Sequence, residues 1–197
     1  MAKFLDLSNK QTYKIVLFIL NSSKDFKLMD LVSASGVSKA WASKVLKRLL
    51  EKGFVSRANN SFSLRKPLDL VSLFPLFRSM NNNLVQSFNV LADRKKLLLF
   101  LKKKKVVLCG TTALQYYSSY FRDSSINFYL RDKSVLSELK ELENGLLKVN
   151  VYKPDLSLDL DIVKKEGFLL TSKVRTIIDL FCDNKAHAVE KLINQLW

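Results

Sequence analysis

The stretch Gly36–Phe54, GVSKAWASKVLKRLLEKGF, decides how this chain is read. Its apolar positions Ala42, Val45, Leu46 and Leu49 recur at i, i+3, i+4 and i+7, which is one buried stripe on an α-helix. Ser38 stands where an N-cap belongs, and Gly53 where a helix stops. The opposite face carries Lys39, Ala40, Ser43, Lys44 and Lys47, with no acid among them. Arg48 extends the basic surface toward the helix end. A helix that is apolar inside and basic, small or hydroxylated outside can enter a major groove and meet phosphates and base edges without repulsion. An ordinary amphipathic surface helix has the same stripe, so its neighbours must decide.

Upstream, Thr12 to Asn21 is almost wholly apolar but shorter than the about 20 residues that a membrane span needs, and it reads as a buried first helix. Ser22 to Phe26 is a polar connector. Lys27 to Ala34 places Leu28, Leu31 and Val32 on one face of a short second helix, and Ser35-Gly36-Val37-Ser38 turns the chain into the third. Downstream, Phe54–Arg57 and Phe62–Arg65 are β-like runs joined by Ala58-Asn59-Asn60-Ser61, a hairpin. Arg57 and Arg65 are placed to flank a phosphate. This order of elements over residues 10 to 66 resembles the winged helix-turn-helix superfamily. Trp41 is bulky for a reading face. It either points at DNA or packs on the second helix, and packing or a partner is the favoured reading.

Charge supports the assignment. The chain of 197 residues carries a net +15, distributed unevenly. Residues 1–66 hold 13 Lys and Arg against 4 Asp and Glu, a net +9; residues 67–105 hold 8 against 2, a net +6; residues 106–197 hold 12 against 12. A basic nucleic-acid-binding half joined to a neutral half accounts for this polarity. The lysine run after Leu101 adds Lys102, Lys103 and Lys104 as a second phosphate-contacting patch, beside the simpler reading that they complement a helix C-terminus.

The sequence predicts an α+β protein with three segments: a winged helix-turn-helix over 1–66, a linker with a short helix over 67–83, and a mixed α/β domain over 84–197. Leu84 to Leu101 reads as helical. Ile126–Leu130, Leu147–Tyr152 and Gly167–Leu170 read as strands. Val135–Asn144, Ser172–Phe181 and Lys185–Leu196 read as helices. Gly110-Thr111-Thr112-Ala113-Leu114 followed by a strand resembles the opening of nucleotidyltransferase-like folds. Those enzymes need two carboxylates two apart on that strand to hold divalent metals, and here the positions are Asn127 and Tyr129. Asp159 and Asp161 share the spacing but come later, and read as the solvated edge of a Leu-Asp alternation. The expectation is therefore no catalytic site, no metal and no cofactor. Cys109 and Cys182 lie far apart without a CxxC, as reduced thiols do, and the sole histidine, His187, reads as an exposed helical residue. Without a continuous apolar h-region near the start, the expected location is the cytoplasm.

Leu170-Thr171-Ser172-Lys173-Val174-Arg175-Thr176-Ile177-Ile178-Asp179-Leu180, with Thr112-Ala113-Leu114 before it, resembles the AbiEi family of type IV antitoxins and related regulators over about residues 10 to 185. The family often has Pro where Lys173 stands. The resemblance implies a repressor that binds inverted repeats in its own promoter, as a monomer or homodimer, and opposes a separate toxin. The residues themselves give Ser172 as a cap and Arg175 with Asp179 as an i, i+4 pair. Two other readings remain at this stage. One is a nucleotidyltransferase-like enzyme with a nucleic-acid-binding arm; the other is a winged helix used for protein interaction or replication initiation.

Overall fold

A computed structural model describes residues 5–22, 24–118, 123–155 and 158–197. Ser23, in the polar connector, lies outside them. The chain divides into two compact units, Met1–Arg78 with Gln195–Trp197, and Ser79–Asn194. The segment read as a linker, residues 67–83, is thus divided between them.

In the first unit, α1 (Lys10–Asn21) begins where the Asn9 side chain accepts from the amides of Gln11 and Thr12, and it buries Tyr13, Ile15, Val16, Leu17, Ile19 and Leu20. Next, α2 (Leu28–Ser35) ends at Gly36 in the left-handed region, φ 64°. Ser38 then caps α3 (Lys39–Glu51), its hydroxyl accepting from the Trp41 amide at 3.3 Å. The end of α3 is a Schellman motif: Gly53, φ 69°, donates to Leu50 and Phe54 donates to Leu49, both at 2.9 Å. The hairpin follows as β1 (Val55–Ala58) and β2 (Ser61–Leu64). Asn59 and Asn60, both at positive φ, make its two-residue turn, as strand twist requires. Phe26 and Phe62 exchange backbone hydrogen bonds of 3.0 and 2.8 Å, and their rings stack at 5.9 Å, so the wing is pinned to the connector before α2. The short α4 (Pro67–Val71) leads to Phe74, whose ring meets Tyr13 edge-on at 5.9 Å. The chain's last residue belongs here too: Trp197 donates its indole N–H to the Leu20 carbonyl at 3.0 Å.

The second unit holds a six-stranded mixed sheet of β3 (Leu84–Val90), β4 (Val107–Leu108), β5 (Ile126–Tyr129), β6 (Leu147–Tyr152), β7 (Ile162–Lys165) and β8 (Phe168–Thr171), in the order β3-β6-β5-β4-β8-β7. β6 with β5 and β4 with β8 run parallel; the other neighbours are antiparallel. Alternation along β5 sorts the layers. Ile126 and Phe128 enter a core with Leu97 and Leu101 of α5 (Arg94–Lys103) and Val135 and Leu139 of α7 (Ser134–Glu141). Asn127 and Tyr129 face the other way, toward α6 (Gly110–Tyr117) and α8 (Lys173–Cys182).

Three readings are corrected here, and one strand is added. Leu84–Leu101 is not one helix: β3 pairs with β6 through Phe88↔Val149 and Val90↔Leu147, and α5 starts afresh where Asp93 accepts from the Lys96 amide at 3.0 Å. A strand not expected, β7, turns into β8 through Glu166 and Gly167, both at positive φ. Lys185–Leu196 breaks into a 3₁₀ turn, Ala186–Val189, and one helical turn, α9 (Glu190–Ile193). Asp159 and Asp161 lie in a 3₁₀ turn, Leu158–Asp161, not on a strand face. No described helix is long and apolar enough to cross a membrane.

Candidate nucleic-acid interface

The α3 stripe Ala42, Val45, Leu46 and Leu49 is buried, so helical geometry turns the other face outward. Lys39, Ala40, Ser43, Lys44 and Lys47 are all exposed, and Arg48 is half-buried near the helix end. Trp41 is half-buried with its indole N–H covered, and the Lys44 ammonium sits 5.4 Å from the ring centroid. Trp41 therefore offers a ring beneath a cation rather than a donor aimed at a base edge.

Between α3, the start of α2 and the wing lies an open groove of about 560 Å³. Its polar lining is Lys27, Ser43, Lys47, Arg57 and Asn60, and its floor includes Leu46 and Phe62. No acid lines it among the described residues. Arg57 is held in place: its guanidinium donates to Asn60 Oδ1 at 2.9 Å and lies 5.6 Å from the Phe62 ring centroid. Asp30, the nearby acid, accepts from the Lys27 amide at 2.8 Å, at the start of α2. Lys27 is the charged member that sequence reading missed. Its contribution depends on the fold bringing the first turn of α2 beside the wing.

Two expectations fail here. Arg57 and Arg65 do not share a site: Arg65 lines a separate recess with Lys24, Asp25 and Trp197, because β2 carries it to the far end of the hairpin. Nor do Lys102, Lys103 and Lys104 form a common patch. Successive residues fan out around a helix. Lys102 donates to the Glu166 carbonyl at 2.9 Å and covers the Phe168 ring, and Lys104 pairs with Glu138. Lys103 is left exposed.

In the second unit, the β5 side chains Asn127 and Tyr129 are locked into the fold. Asn127 donates to Thr111 Oγ1 at 2.7 Å and accepts from Asn150 at 2.9 Å. The Tyr129 hydroxyl donates to Asp179 at 2.8 Å and accepts from Arg175 at 3.0 Å. Arg175 is fully buried and pairs with Asp155, with Asp179 at 2.9 Å and with Asp161 at 3.9 Å. Asp161 is thus a buried partner of Arg175 and not a solvated edge, whereas Asp159 is exposed beside Arg131. Among the described residues, no group of three His, Cys, Asp or Glu is placed to hold a metal. Burial pushes the Tyr117 hydroxyl up to about 12, and it donates to the Thr171 carbonyl. Both cysteines are buried, and His187 is exposed in a 3₁₀ turn.

Three helices, a pinned hairpin and an exposed basic helix face define a winged helix-turn-helix DNA-binding module. Residues 14–66 match the MarR family, a match that supports a DNA-binding transcriptional regulator. No curated protein and no solved structure matches the chain.

Proposed function

We propose that the protein is a sequence-specific, double-stranded DNA-binding repressor of its own promoter, and an AbiEi-like antitoxin. The observation that carries the reading is the acid-free groove where α3 meets the wing, with Lys27, Lys47 and Arg57 around it, inside the MarR-matching segment. In this reading α3 enters the major groove through Lys39, Ser43, Lys44 and Lys47, and the wing contacts the backbone through Arg57. The second unit serves a protein partner, such as a toxin, rather than chemistry. Asn127 and Tyr129 support that non-catalytic role, since neither replaces an aspartate as a hard metal ligand.

The test is binding to the duplex upstream of the protein's own gene against a scrambled duplex, at about 150 mM salt, where non-specific attraction is already reduced. The proposal expects a preference of about a thousandfold. Equal, weak binding to both duplexes overturns it.

A further inference from the structure

The turn between α7 and β6, residues 142–147, is closed against the end of β3. The Leu91 amide donates to the Leu142 carbonyl at 2.7 Å, and the Gly145 amide donates to the Asn89 carbonyl at 3.0 Å. Val90 and Glu143 form a bridge between these bonds. Asn144 stands at φ 81°, in the left-handed region that asparagine tolerates better than most side chains. Position 145 has no room for a side chain, since a Cβ there would stand 2.0 Å from the Val90 carbonyl oxygen. Backbone geometry thus selects asparagine and then glycine, and Asn144 is exposed. No other asparagine of the chain precedes a glycine. The pair that suits this turn is also the most reactive that an asparagine can enter, because without a Cβ the glycine nitrogen reaches the side-chain carbonyl unhindered.

We propose that Asn144 is a site of spontaneous deamidation and isoaspartate formation, latched by the hydrogen bond from Gly145 to Asn89. The Gly145 nitrogen gives its proton to solvent base and attacks Cγ of Asn144. The N–Cγ bond forms, the Cγ–Nδ2 bond breaks, and the side-chain nitrogen leaves as ammonia with a proton taken from water. Water then opens the succinimide ring. Hydrolysis at Cγ leaves an aspartate; hydrolysis at the former backbone carbonyl leaves an isoaspartate, whose main chain runs through Cγ. The sum is asparagine plus water giving a carboxylic acid plus ammonia, with no other reactant. While the turn is closed, the attacking nitrogen keeps its proton in the bond to Asn89, so the reaction waits for a local opening. An isoaspartate lengthens the main chain of a turn held at both sides, so the product does not reclose as before. The modification belongs to the second unit and is independent of the DNA-binding reading.

The test incubates the full chain in mildly alkaline buffer, folded and in urea, and follows the Asn144 peptide by mass spectrometry. Hydrogen exchange of the Gly145 amide is measured in the same folded chain. Conversion in urea is expected at the rate of a free peptide of the same sequence, with isoaspartate the larger product. In the folded chain it is slowed by about a hundredfold, and by the same factor as exchange of the Gly145 amide, since one opening governs both. Leu91→Pro removes the donor to Leu142 at an exposed position, and Val90 before it already has the extended backbone that a following proline favours. It should speed conversion in the folded chain by about tenfold. An Asn144 that stays intact in urea overturns the site. Conversion as fast in the folded chain as in urea, or slowed out of step with Gly145 exchange, overturns the latch, and neither result depends on the variant.

Discussion

The two units handle positive charge in opposite ways. In the first, Lys39, Lys44 and Lys47 stand in solvent with no acidic partner among the described residues, and Arg57 is braced by an asparagine and an aromatic ring. In the second, cations are drawn into the fold. Arg175 is enclosed by three aspartates, Lys104 pairs with Glu138, and Arg94 reaches the carbonyls of Ser124 and Ser125 and the side chain of Gln115. Burial lowers the Arg94 pKa from its ordinary value. A cation without a protein partner keeps its attraction available for a polyanion; a cation closed into a network has used it to fix a conformation. The difference sets the units apart: the first leaves cations open to a polyanion, and the second closes cations into its own network.

The sharpest way to break this contrast is Arg175→Ala. It leaves Asp161 and Asp179 buried, and Asp155 half-buried, without their shared cation, and removing one partner of such a set costs about 3–5 kcal/mol. Denaturant unfolding should show that loss. A change below about 1 kcal/mol would mean the cluster is not structural. The mirror experiment is Lys44→Glu with Lys47→Glu. Both residues are exposed, so stability should stay within about 0.5 kcal/mol while DNA binding is abolished. Unchanged affinity would remove α3 from the interface. A smaller effect is expected of Arg57→Ala, which should weaken binding evenly across sequences and lower the salt slope by about one. A loss confined to one sequence would make Arg57 a base reader instead.

The smallest effect concerns acid. Burial raises the Asp123 pKa, but hydrogen bonds from the Ser125 amide at 2.8 Å and from the Thr111 and Ser125 hydroxyls outweigh it and hold the carboxyl below its ordinary value. Its stabilisation is present above the unfolded pKa, about 3.9, and disappears as pH falls through the lower folded value. Melting scans should therefore fall more steeply below about pH 4 in the unaltered protein than in Asp123→Asn. Parallel curves would contradict the assignment.

What was legible follows from how local each signal is. The α3 stripe, its Ser38 cap and the Gly53 stop lie within one short segment, and Asn59-Asn60 names its own turn. By contrast, β3 was hidden because the leucines of α5 lend their helical pattern to residues before Asp93, whose capping role was the available signal. Asp161 looked solvated because its partner Arg175 is supplied by a helix further along the chain. Lys27 joins the groove only through the packing of α2 beside the wing, which no spacing encodes. The lysine run misled for the opposite reason: adjacency in sequence is separation around a helix, so Lys102 and Lys104 found partners inside their own unit.

The central claim, that the first unit's free cations are the DNA interface, is tested most directly by lysine footprinting. The full chain is acylated with and without the promoter duplex, and each lysine is read by mass spectrometry. The account predicts strong protection of Lys44 and Lys47, with Lys102 and Lys104 unchanged by DNA. Protection centred on Lys102, Lys104 or other lysines of the second unit, with Lys44 and Lys47 still reactive, would contradict it.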